Sequence, residues 1–180
     1  MKLLGLMVSG LIYANVSFGN ADIATYRKSG DVVMNQIISK KIDETVLQKE
    51  VNNMVVAAIS VTKAYMKAYP KGAKVLQVLV DKIEDIKKQS FDEVEKQWHD
   101  IGYFAGKEKE LGIDLSDEDN EHFTDPIHCI VHPILTLKAG QMYIKSGSKD
   151  EKHLQTMKEE LKEGLEQAGN IEAKLKTAKG

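Results

Sequence analysis

A single cysteine in 180 residues excludes an internal disulfide. Three prolines and a 6% share of aromatics leave few helix breakers and few of the residues that favour strands. Neither sign of charge prevails: 25 basic against 27 acidic side chains give a formal charge of −2. That balance provides no electrostatic footprint for nucleic acid or for an anionic membrane surface. Beyond residue 21 no apolar run approaches the roughly 20 residues needed to cross a bilayer, so the mature chain is expected to contain no membrane span. Enzyme signatures are missing as well. There is no glycine-rich phosphate loop, no G-x-S-x-G elbow and no H-E-x-x-H helix, and the absence of C-x-x-C-H excludes covalent haem. The expectation leans away from an enzyme.

What is present favours helix. Lys, Glu, Leu, Ala and Gln fill long polar faces, and apolar residues recur at helical spacing. The N-terminus is different. Met1 and Lys2 precede an uncharged apolar run over residues 3–18, and small residues follow at Gly19 and Ala21. This pattern reads as a secretory signal peptide over residues 1–21, cleaved after Gly19 or Ala21, and it implies export, in a bacterium to the periplasm. The alternative, an N-terminal anchor, suffers from the shortness of the run. Residues 22–180 are then expected to form one domain.

Residues 22–42 carry Val32, Val33, Ile37 and Ile38 and are read as a first helix. In the next, Leu47, Val51, Met54, Val55, Ala58, Val61, Thr62 and Tyr65 mark the buried stripe, with Asp43 as cap and Pro70 as terminator. After a turn at Lys71 and Gly72, Leu76, Leu79, Val80, Ile83 and Ile86 form a second stripe, giving a helical hairpin. Ser90 and Glu93 match a capping box opening a short helix through Val94, Trp98, Ile101 and Phe104 toward Gly106. A polar connection is expected over residues 107–124. Its acids Asp114, Asp117, Glu118, Asp119 and Glu121, continued by Asp125, match a calcium loop poorly, because Asp119 stands where glycine is needed. A solvated loop is the better reading. Ser148 and Glu151 suggest a second capping box before a last helix carrying Leu154, Met157, Leu161, Gly164, Ala168, Ile171 and Leu175. The fold class expected is all-α: a single bundle of four to six helices.

The stretch 124–134, TDPIHCIVHPI, carries the chemistry. It holds two of the five histidines, the only cysteine and two of the three prolines. On a helix turning about 100° per residue, Asp125, His128, Cys129 and His132 share one face. Asp125 and Pro126 suit a helix start, and residues 126–137 hold no charged side chain. A helix without a charged face is usually buried, so residues 126–145 are expected to form the central helix. Pro133 cannot donate to the Cys129 carbonyl, which predicts a kink or broken turn there. Beyond it Thr136, Ala139 and Gly140 permit close packing or leave space for a ligand.

Histidines at i and i+4 can chelate one metal. The expected ligand set is His128, Cys129 and His132, with copper or zinc as the ion, and with His99, His122, His153 or an acid completing it. Non-covalent haem is a lesser possibility. A Cys129–His132 thiolate nucleophile lacks an oxyanion hole and a substrate groove. The competing reading gives the same face no ligand: the imidazoles are hydrogen-bonded within the bundle and Cys129 fills space, in a cell-envelope interaction or structural protein.

Overall fold

The computed structural model describes residues 10–113 and 121–178, with side chains from residue 21 in the first segment and from residue 123 in the second. Residues 1–9 of the expected signal peptide and the acidic stretch 114–120 lie outside these bounds. Helix α1 spans Gly10–Ser39, passing through both expected cleavage positions, and α2 spans Glu44–Ala68. A 3-10 turn at Pro70–Gly72 leads into α3, Ala73–Ile86. The short α4, Phe91–Val94, runs into a π turn at Glu95–His99 and a second 3-10 turn at Gly102–Phe104, and α5 is Glu108–Leu111. The long α6, Glu121–Lys145, and α7, Glu151–Thr177, complete the chain. No strand occurs among the described residues, and the architecture is an all-α bundle.

Cross-contacts give the topology. Asp22 accepts from Ser60 and Ser29 donates to Glu50, so α1 and α2 are antiparallel. Arg27 pairs with Glu172 and Lys40 with Glu151, which sets α7 antiparallel to α1. Asp125 meets Lys174 while His132 meets Glu160, so α6 and α7 are antiparallel too. These four long helices form an up-down-up-down bundle. Helix α3 lies outside these four, and Lys87, just past its C-terminal end, reaches back to Asn52 of α2. Helix α6 is the central element, buried on all sides from Ile127 to Thr136 except at His128.

Several local expectations hold. The α2 stripe is buried as read, with Ala57 added. On α3, Val75 takes the buried place expected for Val80. The seven apolar or small residues expected on α7 are the ones buried. Asp43 caps α2, and the Ser90–Glu93 capping box is complete.

Others are corrected. The connection over residues 107–124 is not wholly loop: α5 lies within it, and α6 is already helical at Glu121. Asp125 therefore is not an N-cap; Pro126 sits inside the helix, and Asp125 instead pairs with Lys174 at 2.9 Å. Ser148 adopts a left-handed conformation with φ of 59°, so Asp150 caps α7 in its place. The space beside Gly140 is filled rather than left for a ligand: a Cβ there would come within 2.5 Å of Leu47 Cδ2. The helix expected to continue to Gly106 breaks after the π turn. Ile101 takes a left-handed φ of 60°, and the chain turns back so tightly that a Cβ on Gly102 would lie 2.5 Å from the Lys96 carbonyl oxygen.

The expected broken turn at Pro133 does not occur; α6 is one continuous element. A buried carbonyl without a donor would cost about 1–3 kcal/mol. Here the Tyr26 hydroxyl of α1 reaches across the bundle and donates to the Cys129 oxygen at 3.0 Å. Gly164 makes this possible, because a Cβ on it would stand 2.7 Å from the Tyr26 hydroxyl and 3.0 Å from His132 Cβ.

Candidate metal centre

His128 and His132 lie one turn apart on α6 and His99 ends the π turn that packs against them. Each offers a ligand nitrogen within 4.8 Å of those of the other two. The His99 and His128 rings stack with centroids 4.6 Å apart, and His132 meets both edge-on. Two ligands of a tetrahedral zinc ion at 2.0–2.1 Å stand about 3.3 Å apart, so the rings must close in by side-chain rotation to share one ion.

Hydrogen bonds set the tautomers. His128 Nε2 lies 3.0 Å from the His99 carbonyl oxygen, and a carbonyl only accepts. The proton is therefore on Nε2, and Nδ1 carries the lone pair. His132 Nδ1 lies 2.8 Å from Glu160 Oε2. With Glu160 ionised, Nδ1 donates and Nε2 is left with its lone pair, the carboxylate–imidazole arrangement that orients a metal ligand. His99 Nδ1 is flanked by Asp100 at 3.3 Å and Glu95 at 3.9 Å.

Burial governs the charge states. It pushes His128 down to about 4, and does the same to His132 with help from the neighbouring His99. Both imidazoles are thus neutral near pH 7, the form that binds metals. Burial also lifts Glu160 to about 7. Glu95 is raised too, first by burial and then by the charge of Glu160.

The structure brings together two of the three residues expected from the sequence, His128 and His132, and replaces the third. Cys129 is 1% exposed, and its sulfur is not among the ligand atoms that converge. Burial pushes that thiol up to about 12, so it is neither thiolate nor nucleophile at neutral pH. His99 takes its place in the group. His153 lies apart, beside Asp150 at 3.4 Å, and the His122 side chain is outside the described residues. Glu95, Glu160 and Glu163 were not legible as site residues, since acids on an exposed helical face are ordinary. The available signal for Glu160 was its place just before Leu161 and one turn before Gly164, where a Cβ on α7 would stand 3.0 Å from His132 Cβ of α6. Comparison with protein-family models, with curated proteins and with solved structures gives no match to this chain.

Proposed function

We propose that this protein binds a first-row transition-metal dication through His99, His128 and His132, and that it does so after export. The observation that carries the reading is the convergence of three imidazoles from two separate segments on one partly buried spot. Neutral His128 and His132 need lose no proton to bind, and the ionised form of Glu160 holds His132 in a ligating tautomer. With the thiol outside the group, the cuprous ion loses its preferred soft donor, and zinc or the cupric ion suits the imidazoles better. The apolar N-terminal run followed by small residues supports export, and periplasmic residence follows if the host is a bacterium.

A second reading is favoured by one specific observation. His128 and His132 each already have a hydrogen-bond partner, which is what a histidine that only fills and ties the core requires. On that reading the bundle is an envelope interaction or structural protein.

Metal analysis of untagged protein, paired with thermal unfolding, separates the two. The metal reading expects zinc or copper to raise the melting temperature of the wild type, and not that of His128→Ala/His132→Ala. Equal melting temperatures with and without metal, together with no metal in the purified protein, leave the structural reading standing.

A further inference from the structure

Among the described residues, the carboxylates around the three imidazoles pair with no lysine or arginine. Glu95, Glu160 and Glu163 come from two elements, the π turn and α7, and surround the histidines. Among the described residues their ion-pair neighbours are His99 and His132 alone, with no lysine or arginine. Glu95 Oε2 is buried without any hydrogen-bond partner. A buried carboxylate oxygen left unsatisfied is costly, and each such atom in a folded protein calls for an explanation.

The distances sort the three acids. Glu160 sits on His132 Nδ1 at 2.8 Å, behind the ring, and so positions it without reaching an ion on the other side. Glu163 Oε2 stands 3.6 Å from His132 Nε2, the nitrogen left with a lone pair. That is close to the roughly 3 Å that separates neighbouring ligands of one ion bound at about 2.0–2.2 Å. Glu95 shares the π turn with His99, and its Oε1 is 3.9 Å from the His99 ring. Single-turn π bulges recur at functional sites. Here the i→i+5 bond from Asp100 N to Glu95 O closes the turn that carries both side chains.

We propose that Glu95 and Glu163 complete the centre, making it a mixed imidazole–carboxylate site with more than four ligands for a divalent ion that accepts oxygen donors. This rests on the metal reading above. Zinc, ferrous and manganous ions belong to that class, whereas the cuprous ion, which favours soft sulfur donors, does not. A dication supplies the positive charge that the cluster lacks, and gives Glu95 Oε2 its missing partner. The Glu163 side chain, 55% exposed, lies on the solvent side of the site and leaves a route for the ion.

The test is competitive titration of the full chain with zinc and with manganese, for wild type, Glu95→Gln, Glu163→Gln and the control Glu159→Gln. The control removes the same charge beside Glu160 but not from the site. Near-isosteric changes at partly exposed positions keep the fold, which thermal unfolding without metal verifies. The expected result is a loss of about tenfold or more in affinity for each of the two site variants, larger for manganese than for zinc, with Glu159→Gln near wild type. Cobalt substitution adds a spectroscopic readout: weak visible bands mark five or six ligands, and intense ones mark four. Wild-type zinc binding that Glu95→Gln and Glu163→Gln leave unchanged overturns this inference and spares the three-histidine reading. No binding of either ion by the wild type overturns both.

Discussion

Protonation at single residues follows from burial and has a definite sign. His128 and His132 are held at about 4 in the fold against an ordinary 6.5. Between those values the unfolded chain takes up protons that the fold refuses, so both histidines make stability fall as pH drops from about 6.5 to 4. Glu160 is raised to about 7 from 4.5, and Glu95 is raised in the same sense. For these the fold holds the extra proton, and stability rises as pH falls through their windows. Removing one offset exposes the histidines: Glu160→Gln without metal is expected to lose about 2 kcal/mol more than wild type between pH 7 and 4.5. Urea unfolding in chelator over that range measures it, and superimposable pH profiles contradict it. Cys129 offers a second check. A thiol pushed up to about 12 and 1% exposed should resist alkylation at pH 8 in the native protein and react promptly in denaturant. Native labelling at the denatured rate would place the sulfur wrongly. From the sequence, Cys129 and His132 looked equivalent, because both lie on one arc of one helix. What separates them is His99, whose ligand nitrogen lies with those of His128 and His132 while the Cys129 sulfur is outside the group, and no local pattern reveals that partner on the π turn.

Among the elements, α6 is decided by the contact between Tyr26, the Cys129 carbonyl and Gly164. Proline chemistry alone predicted a kink or a broken turn; the turn is not broken, and a donor from α1 beside a glycine on α7 satisfies the carbonyl that Pro133 leaves free. Tyr26→Phe is expected to destabilise the fold by about 1–2 kcal/mol, since it leaves a buried carbonyl unpaired. Gly164→Ala should cost about 1–3 kcal/mol by crowding the same hydroxyl and His132 Cβ. Because both act on one contact, the double variant should be less destabilised than the sum of the singles. Strict additivity in denaturant unfolding would show that the two sites are independent. Long amphipathic helices were readable: the buried residues of α2 and α7 follow from period alone. The 95–104 segment was not. Its apolar spacing fits a helix, yet the π turn and the left-handed Ile101 redirect it, and that redirection delivers His99 to the site.

For the whole molecule, the antiparallel pairs α1–α2 and α6–α7 follow from periodicity and short connections, the two pairs are joined by the long stretch that carries α3, α4 and α5, and the site lies where α6, α7 and the π turn meet. Among the described side chains, those of α1 in the core include Ile23, Tyr26, Val33 and Ile37. A chain starting at Asp22 keeps these four and is expected to keep the melting temperature of the longer form, and on the export reading proposed above intact-mass measurement of the natively expressed protein should find Asn20 or Asp22 at its start. A retained Met1 on membrane-bound material would overturn the cleavage reading. The central claim is that His99, His128 and His132 hold one ion. The most direct measurement is anomalous scattering from crystals of the untagged protein grown with one equivalent of zinc. The account predicts a single peak within about 2.0–2.1 Å of a nitrogen of each of the three histidines and away from the Cys129 sulfur. No peak at this cluster, or one that survives in the His99→Ala variant with Cys129 as a ligand, would contradict it.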